Sequence, residues 1–278
     1  MNTEKNIIEE FSVWQKQLGK ADGTIKTYIG VLEKFEAWLS SKGKSLNSVS
    51  KNDVQLYMDE LENQQKTAGT IEKYLAAISV FVRFIDKSEI VLDIKRKEKI
   101  KDTSIPESLE ESEEKKLLLE VKADGNLRNI AIVYTLLYTG IRISELCALN
   151  FDDIQEVDGK KKLLIKDHDG EIDRFIPLTT DVSYHLENYI DSLTIKKDAI
   201  FVSSVNKRLS TRAVQYMLQK YDVNPHKLRH TFCQKLINKG INLHIVAKLA
   251  GHKDVNVTKR YVGNTQPNLD NAIDQAFS

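Results

Sequence analysis

Along the first hundred residues, apolar positions recur at helical spacing. After Asp22, Gly23 and Thr24, the residues Ile25, Tyr28, Ile29, Leu32, Phe35, Trp38 and Leu39 form one stripe, which stops at Gly43. A second stripe starts at Thr70 and takes in Ile71, Tyr74, Leu75, Ile78, Val82 and Ile85. No strand-type alternation interrupts them. Such stripes bury one face of each helix against its neighbours, so the segment predicts a small bundle of four or so helices. Their aromatic rings are read as core rather than as a platform for stacking bases.

The periodicity disappears between Asp93 and Pro106, where Lys95, Arg96, Lys97, Lys99 and Lys101 precede Ser104, Ile105 and Pro106. This composition predicts an interdomain linker, either a solvated connector or a basic strap lying along phosphates. The expected organisation is therefore a helical domain over 1–92, a linker over 93–106 and a second domain over 107–278. That second domain opens with a helix from about Glu110. The nearly all-apolar run Ile130 to Tyr138 follows as a buried helix closed by Gly140. Two β-rich runs, Leu163 to Lys166 and Arg174 to Leu178, flank the turn-like Asp169-Gly170 and predict an antiparallel hairpin. Helical patterns then continue to the end. The fold class is mainly α: an N-terminal helical domain plus an α+β domain with a small antiparallel sheet.

Composition narrows the function. A chain of 278 residues with 41% hydrophobic and 29% charged residues can bury a sizeable core. No apolar run approaches the roughly 20 residues that span a bilayer, and Met1 to Gln15 is polar and acidic, so a cytoplasmic location is expected. Cys147 and Cys233 lie inside apolar helical patterns, with no metal or redox spacing around them. The histidines lack carboxylates or cysteines at ligand spacing, and no Gly-rich phosphate loop is present, so neither a metal nor a nucleotide cofactor is expected.

The net charge of +1 hides a gradient. Ser203 to Tyr261 holds 12 lysines and arginines against Asp222 and Asp254, a local balance of +10 that suits a polyanion. Lys207, Arg208 and Arg212 open that stretch as candidate DNA contacts, alongside Lys95, Arg96 and Lys97 of the linker. Acids gather elsewhere, notably Glu107, Glu110, Glu111, Glu113 and Glu114, at what reads as the first turn of a helix.

Asn224-Pro225-His226 is a helix-start signal, with Asn as cap and Pro at the first helical position. It places His226 and Arg229 on one face. A helix N-terminus bearing two cationic donors is a ready phosphate site. The next helix, Leu243 to Ala250, ends at Gly251, which puts His252 just beyond it. Asp254 then caps a short helix bearing Tyr261. Taken singly, each of these residues reads as an ordinary surface or core side chain.

Together, LYTGIRISEL over 137–146, HKLRHTF over 226–232, LAGH over 249–252 and VTKRY over 257–261 resemble the signature boxes of the tyrosine recombinases, in that family's order and spacing. The resemblance covers most of 107–261, and the preceding helices resemble the family's core-binding domain. It implies a nucleophile, Tyr261, that attacks DNA to give a 3′-phosphotyrosyl intermediate. Arg142 and Arg229 would hold the scissile phosphate, and His226 and His252 would assist proton transfer and hydrogen bonding, with His226 as the base. Glu145 would orient its neighbours. Lys166 matches the hairpin lysine that protonates the leaving 5′ oxygen, with Lys162 as the alternative. The hairpin, KDHDGEIDR over 166–174, is acidic where the family's is rich in Gly and Lys; His168, at its tip, is read as solvated.

The implied partners are a duplex DNA recombination site and three further copies of the chain, a homotetramer on two sites. Leu269, Ile273 and Phe277 would form a tail helix, which either folds back on its own core or docks on a neighbour. Overall length suggests the short Xer-type and transposon-resolving members. A type IB topoisomerase-like enzyme and a non-catalytic DNA-binding regulator are the competing readings.

Overall fold

Amphipathic stripes bury their apolar faces on one another, and four of them make the N-terminal unit. The computed structural model describes residues 7–96, 106–157, 159–195 and 197–261. The chain divides into two compact units, Met1–Asp102 and Thr103–Ser278. In the first, α1 (Ile7–Gln17), α2 (Asp22–Ser41), α3 (Lys51–Asn63) and α4 (Ala68–Phe84) enclose Phe11, Leu32, Phe35, Leu39, Met58, Ile78 and Phe81, all fully buried. Phe11 meets Phe81 edge-on with ring centroids 5.7 Å apart, a geometry that suits the ring quadrupoles. α3 starts where Ser50 and Asp53 cap each other, Ser50 N donating to Asp53 Oδ2 at 3.0 Å. Lys44 covers the same buried carboxylate at 2.5 Å.

The second unit is built around one helix. It contains α5 (Glu111–Ala123), α6 (Leu127–Thr139), α7 (Ile143–Ala148), β1 (Ile154–Val157), β2 (Lys160–Lys166), β3 (Ile172–Pro177), α8 (Thr180–Asp191), α9 (Thr211–Gln219), α10 (Pro225–Asn238), α11 (Leu243–Ala250) and α12 (Val255–Lys259). Every residue of α6 from Asn129 to Leu137 is buried. A helix apolar on all sides can sit only inside a domain, and α5, α8 and α10 pack around it. Leu117, Val121, Leu163, Ile165, Ile176, Leu186 and Leu228 complete that core. A smaller cluster, Phe232, Cys233, Val246, Ala250 and Tyr261, lies apart from it under α10 and α11.

The sheet is antiparallel in the order β1-β2-β3, with Leu164 opposite Phe175 and a bulge before the pair Lys166 and Ile172. The hairpin expected from sequence is present, and β1 adds a third strand, too short to show a clear alternation. One acidic residue at the hairpin turn has a local role. Asp167 accepts hydrogen bonds from Asp169 N and Glu171 N through its carboxylate, both at 2.9 Å, so it builds the turn from its own backbone.

Among the described residues no helix is long and apolar enough to cross a membrane. Both cysteines are free thiols and buried. The expected tail helix with Leu269, Ile273 and Phe277 lies outside the described residues, as does Lys97.

α6 ends on Gly140, whose φ of +63° suits glycine. A Cβ there would stand 2.2 Å from the Phe232 ring. Gly140→Ala therefore combines left-handed strain with a core clash, and urea unfolding is expected to show a loss of about 2–4 kcal/mol. Wild-type stability in this variant would contradict the packing described.

Candidate active site

The end of α6 delivers the first functional side chain. Two residues past Gly140, Arg142 stands at the N-cap of α7, with Glu145 one turn on. The Glu145 carboxylate accepts from Arg142 N at 2.6 Å and from Arg142 Nη1 at 2.8 Å. Arg142 Nη2 reaches across the chain to the Gly251 carbonyl at 2.5 Å. Its side chain is 43% exposed, so the guanidinium is anchored from behind and open in front.

α10 supplies the second arginine from a buried position. Its N-terminus forms as the sequence predicts, with Asn224 Oδ1 accepting from Lys227 N and Pro225 in the first turn. Arg229 is only 8% exposed and donates through Nη1 to the Gly140 carbonyl at 2.6 Å. Burial and the nearby Arg142 charge pull its guanidinium below the ordinary value, partly countered by Cys233 and Glu145. An arginine stays charged regardless. Two partly uncompensated guanidinium groups close together favour an anion between or before them.

His252 follows directly. α11 ends at Gly251 with φ +67°, and the His252 Nδ1 then meets Thr258 Oγ1 of α12 at 2.8 Å, which leaves Nε2 for other partners. Burial, then Arg229 and Arg142, push its pKa down to about 4. It is a neutral imidazole at pH 7.

Tyr261 lies just past α12, whose N-terminus is capped by Asp254 as expected. The tyrosine is 2% exposed, its ring parallel to that of His252 at 6.4 Å. Its hydroxyl is 2.5 Å from His230 Nδ1. Burial and the neighbouring Cys233 raise the phenol pKa well above its ordinary value, against the charges of Arg229 and Arg260. Gln234 Nε2 donates to the Tyr261 carbonyl at 3.1 Å. α10 thus presents His226, His230 and Gln234 at successive intervals of four on one ridge. The sequence reading gave the tyrosine proton to His226; in the resting structure the phenol meets a different histidine. His226 is exposed, with its ring 6.3 Å from that of His230, and the residue one turn further along the helix touches the phenol.

The hairpin lysine stands differently. Lys166 closes β2 and pairs with buried Asp153 at 2.7 Å. It lines a pocket of about 210 Å³ that also includes Glu145, Asn150, Asp167 and His168. Lys162 lies four residues back, opposite Pro177. His168 is exposed beside Asp169.

The six basic residues expected to contact DNA have varied surroundings. Lys207 and Arg212 are exposed. Arg208 spends its guanidinium on the carbonyls of Cys147, Ala148 and Leu149 and on Asn150 Oδ1, so it caps the C-terminus of α7. In the other unit, Lys95 exchanges backbone hydrogen bonds with the Gln55 side chain, and Arg96 faces Glu72 at 3.4 Å. Lys97 is outside the described residues. Among the described residues no three His, Cys, Asp or Glu side chains gather as metal ligands.

Sequence reasoning missed three residues of the site. His230 and Cys233 were visible only as helix neighbours of His226 and Arg229. The third is Arg174, 4% exposed on β3. Its signal was present: in Ile172-Asp173-Arg174-Phe175-Ile176, alternation puts Arg174 on the same buried side as Ile176. A charge on the apolar face of a strand implies a buried partner.

Two family patterns match the chain: Phage integrase family over residues 107–267, and Phage integrase, N-terminal SAM-like domain, over residues 9–88. The chain is 29% identical to the tyrosine recombinase XerA of Pyrococcus furiosus over 97% of its own length and 93% of that protein's. It is 28% identical to the TnP I resolvase of Bacillus thuringiensis, covering 97% and 99% of the two chains. Its fold is similar to that of the Tn1549 transposon integrase, solved in complex with a circular intermediate DNA, with a TM-score of 0.72 at 18% identity, covering 98% of this chain and 99% of that one. The chain belongs to the phage integrase family, the tyrosine recombinases, enzymes that break and rejoin DNA.

Proposed function

We propose that this chain is a site-specific recombinase that cuts and reseals duplex DNA through Tyr261. The observation that carries the reading is the gathering of Arg142, Arg229 and neutral His252 around one buried tyrosine. Arg142 and Arg229 take the nonbridging oxygens of the scissile phosphate with planar forks. His252 adds a hydrogen bond without adding charge. The Tyr261 oxygen attacks phosphorus, its proton passes to a histidine of the α10 ridge, of which His230 holds the phenol in the resting structure, and the bond from phosphorus to the 5′ oxygen breaks. Lys166 leaves Asp153 to protonate that oxygen. The product is a 3′-phosphotyrosyl linkage that retains the energy of the broken bond, so a 5′ hydroxyl can reverse the step.

The described Tyr261 is too buried to reach a duplex, so the reaction needs α12 to swing outward. Stoichiometry gives the assembly. Recombining two duplexes breaks four strands, each chain carries one such tyrosine, and four protomers on two sites follow. The reaction class is resolution of transposon cointegrates or replicon dimers, or integration and excision of an element, and resemblance to the TnP I resolvase supports resolution. A cytoplasmic setting, where the DNA is, fits that task. A regulator that only binds DNA would have no use for the convergence of these groups on Tyr261.

Incubation with nicked DNA carrying sites from its own locus tests the reading. Wild type is expected to leave a protease-sensitive covalent adduct on a denaturing gel, and Tyr261→Phe to leave none while binding the same DNA. Absence of an adduct from wild type on every DNA it binds would contradict it.

The state of His252 has its own consequence. Its pKa is about 4 folded against about 6.5 unfolded, so the unfolded chain holds the extra proton between those values. Stability therefore falls as pH drops from about 6.5 to 4 and is unaffected by this group above that window. His252→Asn is expected to flatten the fall, read from urea midpoints at pH 7 and pH 4.5. An unchanged slope would show that His252 is not held neutral.

A further inference from the structure

We propose that Arg174 is a positioning residue for strand cleavage, fixing Glu145 and the carbonyl end of α11 to each other so that the Arg142 fork and His252 stay aligned. The inference rests on the recombinase reading of Arg142 and His252 above.

The geometry begins with burial. The Arg174 side chain is 2% exposed, so it cannot itself reach a phosphate on the surface. Its donors are already directed inward. Nη2 and Nη1 clasp the two oxygens of Glu145 at 2.8 and 3.2 Å, a bidentate pair. Nε donates to the Leu249 carbonyl at 2.9 Å, and Nη1 also meets Asp173 at 2.5 Å. One side chain on β3 therefore joins α7 to the last turn of α11.

Arg142 depends on both of the groups that Arg174 holds. Glu145 accepts from the Arg142 backbone and guanidinium, and Gly251, two residues beyond Leu249, accepts from Arg142 Nη2. The three groups fit closely. A Cβ on Gly251 would stand 2.6 Å from Arg174 Nη1 and 3.1 Å from Arg142 Nη1, so glycine is required both by its positive φ and by the two guanidinium groups against it. His252 comes next in the chain and inherits its place from that junction. If Glu145 turned away, Arg142 would lose its two anchors on that carboxylate. If the α11 carbonyls moved, the third would go and His252 would shift with it.

Lysine at 174 keeps the charge but offers one compact donor head in place of the fork, so it cannot clasp both Glu145 oxygens and Leu249 together. Misplacing a catalytic group by about 1 Å costs on the order of 100-fold in rate. The test compares wild type, Arg174→Lys, Glu145→Gln and the double variant. Single-turnover cleavage of nicked DNA at saturating protein, DNA affinity and thermal midpoint are measured for each.

Arg174→Lys is expected to bind DNA within about twofold of wild type, to remain folded at the assay temperature, and to cleave about 100-fold more slowly. Because both residues act through one link, the double variant should cleave about as slowly as the slower single one. Multiplying losses, or a cleavage rate in Arg174→Lys that falls only in proportion to the folded fraction, would show a merely structural role and overturn the proposal. Should Arg174→Lys fail to fold, Glu145→Gln decides alone: slow cleavage with intact binding is expected, and wild-type cleavage would overturn the link. A wild type that binds DNA and forms no adduct would instead overturn the recombinase reading, and this proposal with it.

Discussion

Arg142, Arg174 and Arg229 lie near one another in the second unit, and Glu145 is the carboxylate that two of them share. Guanidinium groups repel, and a charge pair at about 4 Å interacts by about 4 kcal/mol at an effective dielectric constant of 20. One half-buried carboxylate between two arginines offsets much of that cost. It leaves the outward sides of Arg142 and Arg229 short of negative charge. A phosphodiester supplies what is missing, so the same arrangement that lets the domain fold also creates its demand for a substrate. Burial first, and then the charges of Arg229 and Arg142, hold the pKa of His252 down.

The proposed nucleophile, Tyr261, lies within reach of those charges but is shielded by burial. Tyr261 is sunk in a small apolar cluster of its own, bonded to His230 and beside Cys233, and burial keeps its phenol protonated. A tyrosine held in this way does not attack the nearest phosphate by default. In the proposed mechanism its release comes with the movement of α12, a five-residue helix tied to the rest by contacts such as Thr258 with His252 and Gln234 with the Tyr261 carbonyl.

Much of this was legible in the chain itself. Gly140, Asn224-Pro225, Gly251 and Asp254 are punctuation marks whose chemistry dictates local backbone, and the helices begin and end at them. Helix spacing placed Arg229 on α10, the Gly251 stop placed His252 just past α11, the Asp254 cap placed Tyr261 on the short helix that follows, and Arg142 came only from the family resemblance. What was not legible depends on contacts between distant segments. Which histidine of α10 the resting phenol meets turns on how α12 lies against α10, which no local rule specifies. Arg208 looked like a free surface charge because its carbonyl partners are about 60 residues earlier. Arg174 required the strand alternation to be taken at its word, against the usual expectation that arginine faces solvent. Of the acids in the hairpin, Asp167 serves the turn and Asp173 pairs with Arg174.

The most direct measurement is to trap the covalent complex on a nicked site, digest it with protease and identify the amino acid joined to DNA by mass spectrometry, with the polarity of the attached strand. The account predicts a phosphodiester between Tyr261 and the 3′ end. Linkage through any other residue, or to a 5′ end, would contradict it.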